Sequence, residues 1–253
     1  MSKKVEGVFK LLELFCKSKN RPLGVTELSN ILLEGKSSVF QKIKILESLD
    51  YIEQDKFSDK YVLTTKLLEI VNESLSSYYE RTNIRKYLKQ VADATGEWTY
   101  FGLRNKNNRI VYVDRQASEN ALSVYTNIGD SPDPHCTAHG KALLAYLTIE
   151  EIDDVIKKGL EKYTNKTLTT REALLNEMRK IREQGFAFDD EERMIGVRCV
   201  AAPIFNSHKE VVGVIGISGL FQNMSDEKMI AHATTVKNIA DNMSLTVGND
   251  LIF

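Results

Sequence analysis

The sequence predicts an α+β chain in two parts: a small helical head that ends in a hairpin, and a larger antiparallel-sheet body. A linker helix joins them. Helical periodicity dominates the first fifty residues and gives way to two short apolar strands around a charged turn. Two further hairpins, near 97–116 and 199–220, stand apart with helices between them. They show no regular strand–helix–strand alternation, so the sheet is expected to be antiparallel rather than doubly wound. With 253 residues there is room for two domains. The expected boundaries are 1–65 for the head, 66–80 for the linker helix and 81–253 for the body.

Composition excludes several classes. Hydrophobic content of 42% and charged content of 27% suit a globular protein. No apolar run reaches the roughly 18 residues of a membrane span, so no membrane partner is expected. Acidic residues interrupt the apolar part of MSKKVEGVFKLLELF, which does not read as a signal peptide. Cys16, Cys136 and Cys199 are few, odd in number and widely spaced, pointing to a reducing cytoplasm rather than a disulfide framework. A net charge of −1 argues against a chain wholly devoted to nucleic acid. It leaves open a small DNA-binding head.

In the head, Val5, Val8, Phe9, Leu12 and Phe15 predict one face of a first helix, broken by Asn20, Pro22 and Gly24. A second helix is expected from Thr26, its N-cap, with Leu28, Ile31 and Leu32 buried. After the Glu34-Gly35 turn, KSSVFQKIKILESL predicts a third helix with Val39, Ile43, Leu46 and Leu49 inside. Its outer face carries Lys36, Ser37, Ser38, Gln41, Lys42 and Lys44. Tyr51-Ile52 and Tyr61-Val62-Leu63 then flank a charged turn that includes Lys56 and Lys60. Three short helices plus a hairpin describe a winged helix-turn-helix, whose third helix enters a major groove. Hydroxyls and lysines suit phosphates, and Gln41 suits a base edge. Residues 1–65 hold eleven Lys/Arg against nine Asp/Glu, a weak excess.

The linker stripe is Leu67, Leu68, Val71, Leu75 and Tyr78, with dimerisation as its expected role. A further helix through Ile84, Leu88 and Val91 ends at Gly96, a C-cap. In the body, 97–116 predicts a hairpin, and ALSVYTNIG (121–129) a strand. Helices are expected near 138–147, 149–159 and 170–184, a hairpin turns near 206–210, and a final helix runs from Ser225 to about Val247. Helices on one face of such a sheet would leave a concave pocket on the other.

These pieces resemble a known family. VFKLLELF, TELSNILLEGKSSVFQKIKILESLDYI and KYVLTTKLLEI resemble the winged-helix head of the IclR-type transcriptional regulators. IGDSPDPHCTAHGKALLAYL, IREQGFAFDDEERMIGVRCVAAPIFNSHKEVVGVIGISG and the closing helix resemble their GAF-like effector-binding domain. The resemblance spans essentially the whole chain. It implies a regulator, with repression the expected mode, acting as a homodimer or dimer of dimers on double-stranded operator DNA. A small anionic metabolite, an organic or sugar acid, would alter that binding, and no cofactor is implied. Mapped residue by residue, the family pocket falls on Ala138, His139, Asp189, Val197, Cys199, Gly216 and Ser218. His139 stands where relatives usually carry a small residue, and Gly216 where a hydroxyl is common. The third helix also lacks the arginine frequent at Gln41 or Lys42.

DPHCTAHGKALLAYL (133–147) allows four readings. As a metal site, His135, Cys136 and His139 supply donors, with Cys199 or Asp189 completing the set; Asp133-Pro134 places His135 before the helix begins. As a phosphate loop it fails, because Gly140-Lys141 is followed by Ala142. As catalytic machinery, Cys199, His139 and Asp189 would make a nucleophile, base and orienter, and the chain a cysteine-dependent enzyme with a DNA-binding head. As a pocket wall, residues 131–137 and Thr137 deliver N–H groups at a helix N-terminus suited to a carboxylate. Ala138 and Gly140 would then allow close approach, and Lys141 would face solvent or support the charge. DDEER (189–193) taken alone reads as a solvated acidic turn.

Overall fold

The computed structural model describes residues 3–19, 21–117 and 126–251, and the chain divides into two units, 1–77 and 78–253. Unit 1 holds α1 (Lys3–Lys17), α2 (Val25–Leu32), α3 (Lys36–Ser48), β1 (Ile52–Gln54) and β2 (Tyr61–Leu63). The strands pair antiparallel, Ile52 opposite Leu63, and Leu23 bridges to Tyr61 on the far side. Leu11, Phe15, Leu28, Val39, Ile43, Leu46, Ile52 and Tyr61 form its core.

Three expectations for this unit are corrected. The inward line of α1 is Gly7, Leu11 and Phe15, whereas Phe9 is 62% exposed and Val5 also faces outward. The helix is rotated because Lys42 of α3 crosses it: a Cβ on Gly7 would come within 2.5 Å of Lys42 Nζ. The N-cap of α2 is Gly24 without a side-chain cap, Thr26 lies inside the helix, and Ile31 is exposed. Leu49 lies past the end of α3 and is exposed, its place in the inner stripe taken by Lys42.

The boundary between the units falls within α4 (Lys66–Thr82). Leu68 and Val71 are exposed, while Tyr78 is buried in the core of unit 2. Unit 2 continues with α5 (Ile84–Thr95), ended by Gly96 at φ 69°, a left-handed conformation that glycine adopts without strain. Then come β3 (Trp98–Arg104), β4 (Ile110–Gln116), α6 (Ala138–Leu144), α7 (Ile149–Lys157), α8 (Arg171–Gln184), β5 (Ala187–Asp190), β6 (Val197–Phe205), β7 (Val211–Leu220) and α9 (Asp226–Thr246). Ser225 caps α9 by accepting from Lys228 N. Residues 121–125 of the expected strand 121–129 lie outside the described residues, and 126–129 form no strand.

The sheet runs β4-β3-β7-β6-β5, antiparallel throughout. Its helices lie on both faces, not one. Val200, Ala202, Ile215 and Ile217 pack with α5 and α9, whereas Tyr100, Ala201 and Val214 pack with α6 and α8. Burial on both sides explains why β6 and β7 read as near-continuous apolar runs. The short α6 covers only part of its face and leaves a cavity there.

Candidate functional site

One cross-strand row forms the cavity floor, and a second supports it. Asp189, Cys199 and Ser218 are register partners on β5, β6 and β7. One pleat along lie Ala201, Gly216 and Tyr100 on β6, β7 and β3. The N-terminal end of α6 and residues 126–132 supply the opposite wall, enclosing about 420 Å³. That volume suits a small metabolite. Thr137, Ala138, His139, Asp189, Val197, Cys199 and Ser218 all line it. Gly216 does not. It lies beneath His139, where a Cβ would sit 2.7 Å from His139 Cε1 and 2.4 Å from Val200 O. The unusual pair read from the sequence, histidine at 139 and glycine at 216, is therefore one packing arrangement.

His139 is 3% exposed, and its ring meets Tyr112 edge-on at 5.0 Å. Nε2 lies 3.2 Å from Tyr100 O; a carbonyl only accepts, so the proton sits on Nε2. Burial pushes the imidazole down to about 4, which makes it neutral near pH 7. Asp189 is also 3% exposed and accepts from Glu192 N at 2.8 Å. Burial first, then neighbouring Glu192, raises its carboxyl to about 7.

Lys141, left between solvent and a charge-supporting role by the sequence, lies inside. It is buried, ion-paired with Glu192, and 3.4 Å from Glu177. DDEER is accordingly no solvated turn, since Asp189 and Glu192 are both buried. The role given to Gly140 is also corrected. A Cβ there would lie 2.3 Å from Pro134 Cα, so the glycine serves packing of α6 on the preceding loop. Thr137 uses its hydroxyl to accept from Gly140 N, and α6 is only seven residues long. Its N-terminus is thus a weak carboxylate seat.

Neither the thiols nor the metal candidates converge. Cys199 Sγ donates to Ser218 Oγ at 3.2 Å, and burial raises its pKa far above the range of a reactive thiolate. Cys136 Sγ donates to Asp133 O, and burial pushes its thiol up to about 11. His135 Nε2 lies 3.0 Å from Glu161 O. His135, Cys136, His139 and Cys199 therefore turn to four different partners. Among the described residues no group of three or more His, Cys, Asp or Glu side chains is disposed around a common centre.

Tyr100, Tyr112, Thr126, Asp130 and Met194 line the cavity without having been legible as pocket residues in the sequence, and so does one cation. Arg193 reaches the cavity with its guanidinium 4.5 Å from the Tyr163 ring and Nη1 3.8 Å from Cys136 Sγ. The one signal for it was a lone cation closing the acidic run DDEER.

In unit 1, Lys36, Ser37, Ser38, Gln41 and Lys44 are exposed on α3, and Lys56 and Lys60 are exposed on the β1–β2 turn. Ser38 Oγ donates to Glu34, and Lys44 lies 2.6 Å from Glu47. Lys42 is the correction here. It is 5% exposed and paired with Glu34, so it offers no free charge to a phosphate.

The family model for the bacterial transcriptional regulator IclR C-terminal domain matches residues 73–245. The chain belongs to the IclR family. An HTH-type transcriptional regulator of Escherichia coli K12, XynR, is 31% identical over 227 residues, 89% of each chain. The regulator KdgR of the same organism is 29% identical over 254 residues, spanning 98% of this chain and 96% of its own. An IclR homologue from Microbacterium hydrocarbonoxydans, solved in complex with 4-hydroxybenzoate, matches with a TM-score of 0.78 at 17% identity. It covers 98% of this chain and 99% of its own, a likeness of fold alone. The IclR-type resemblance read from the sequence motifs thus holds. The relatives are transcriptional regulators rather than enzymes, which sets aside the cysteine-dependent enzyme.

Proposed function

We propose that this IclR-family chain is a sequence-specific repressor whose affinity for operator DNA changes when a small anionic effector occupies the cavity of unit 2. The observation that carries the reading is that cavity. Its floor of small and polar groups from three adjacent strands is closed over by α6 and lined with hydroxyls. The same fold holds 4-hydroxybenzoate in the Microbacterium homologue, which supports a small organic or sugar acid here.

Unit 1 is read as a winged helix-turn-helix. In it α3 offers Lys36, Ser37, Ser38, Gln41 and Lys44 to a major groove, while Lys56 and Lys60 of the wing contact backbone. Unit 2 is read as a GAF-like effector domain. The exposed apolar residues Leu68 and Val71 of α4 suit a homodimer, or a dimer of dimers, on palindromic DNA in the cytoplasm.

The test is a mobility-shift titration with the DNA upstream of the chain's own gene. Specific retardation is expected at moderate salt, with the midpoint displaced when an effector acid is added. Retardation no stronger than that of unrelated duplex at the same salt would refute the reading.

A further inference from the structure

We propose that Arg193 is the anion anchor of the unit 2 cavity. A bound effector then lies with a carboxylate against this guanidinium and its hydroxyl-bearing end over the Asp189–Cys199–Ser218 row. The proposal rests on the reading of that cavity as the effector site and goes on to fix the ligand's direction and chemical class.

Arg104, Arg109, Arg171 and Arg198 each hold a carboxylate within ion-pair distance. Arg193 has no such partner among the described residues, and its contacts are the neutral Cys136 thiol and the neutral Tyr163, through both ring and hydroxyl. The nearby carboxylate of Asp133 is taken by Arg109 at 3.0 Å and by the Tyr163 hydroxyl. A guanidinium carries five N–H donors in a planar fork that matches a carboxylate, and these contacts leave most of them free.

The aromatic ring and the fully buried cysteine fix the guanidinium of this lining residue, so little side-chain freedom is left to lose on binding. The opposite end of the cavity disfavours an anion. A carboxylate over the floor would face Asp189, with Glu192 behind it. His139 has its one N–H engaged with Tyr100 O, and Thr137, which accepts from Gly140 N, has only its single O–H left to donate. That end suits neutral hydroxyls instead, which can donate to Asp189 and exchange hydrogen bonds with Ser218. Ser131 also lines the cavity, and its Oγ is buried without a partner among the described residues. The class that fits is a hydroxylated monocarboxylate with its acid and hydroxyl groups at opposite ends.

Calorimetric titration of the full chain with two matched pairs tests this: D-gluconate against D-glucitol, and 4-hydroxybenzoate against 4-hydroxybenzyl alcohol. The expected result is binding of at least one acid, with its neutral counterpart at least about tenfold weaker. Arg193→Gln is expected to lose about tenfold or more for the acid, and Arg193→Lys to recover part of that loss. Should Arg193→Gln not fold, Arg193→Lys and the acid-to-alcohol ratio in the unaltered chain still decide. An alcohol that binds as tightly as its acid, or an acid indifferent to Arg193→Gln, overturns the anchor and leaves the effector cavity standing. If neither acid binds at millimolar concentration, the reading of the cavity as a site for such acids fails, and the anchor fails with it.

Discussion

His139 and Asp189 are buried in one cavity with protonation equilibria displaced in opposite directions, and this gives the pH dependence of stability a defined sign. His139 falls from 6.5 to about 4 on folding. Between those pH values the unfolded chain takes up a proton that the folded chain refuses, so stability is lost as pH drops through the window. Asp189 rises from 3.8 to about 7. Between those values the folded chain keeps a proton the unfolded chain has released, so stability is lost as pH rises. The two slopes overlap and offset one another in the native protein. Asp189→Asn should leave the His139 slope, with stability rising by up to about 1.4 kcal/mol per pH unit from pH 4 to 6.5. His139→Ala should leave the opposite slope up to about pH 7. Urea denaturation across this range measures both, and parallel profiles for the two variants would contradict the assignment. The sequence made both residues visible as candidates through their mapped positions. It did not make their states visible, because those depend on Tyr100, Gly216 and Glu192 folding around them.

At the level of elements, α3 carries two faces that the sequence only partly separated. Its periodicity placed Val39, Ile43 and Leu46 inside correctly. It missed that a lysine completes the buried line, because the opening that admits Lys42 is the missing side chain of Gly7 on another helix. Helix ends were easier to read: Gly96 and Ser225 act locally, as a left-handed C-cap and an N-cap hydroxyl. The strand β5 was not legible, since its four residues are too few to show an alternation. The two faces of α3 predict different mutational outcomes. Lys42→Ala should cost about 1–3 kcal/mol of unfolding stability, because it removes a buried charge and leaves Glu34 with only the Ser38 hydroxyl as a partner. Glu34 is partly exposed, which keeps the cost below that of a fully buried pair. Operator preference should survive in this variant. Gln41→Ala should do the reverse, leaving the melting temperature near that of the parent and weakening discrimination between operator and unrelated duplex by roughly 1–3 kcal/mol. Thermal melting and competition mobility shifts on the same two proteins separate the faces. A Lys42→Ala protein that melts normally but has lost DNA affinity would reverse the assignment.

For the molecule as a whole, the division of labour is set by where charge is placed rather than by its total. A net charge of −1 gives the chain little long-range attraction for a polyanion. On the proposed reading, binding draws on the lysines of α3 and the β1–β2 turn, and fewer of these are free than the sequence suggests. Lys42 is withdrawn into the core, and Lys44 shares its charge with Glu47. Lys36, Lys56 and Lys60 remain exposed with no ion pair among the described residues. Phosphate contacts by so few cations release few counterions, so operator affinity should fall with salt along a shallow line for each head, and about twice as steeply for two heads on a palindrome. Replacing Lys36 by Ala should lower the log–log slope by about one for each head bound, and weaken operator and random duplex alike. Fluorescence anisotropy over a salt series gives that slope directly. Because a phosphate contact is sequence-blind, a Lys36→Ala loss confined to the operator would mean that this lysine reads a base, and that the groove-facing edge of α3 begins one turn earlier than Gln41.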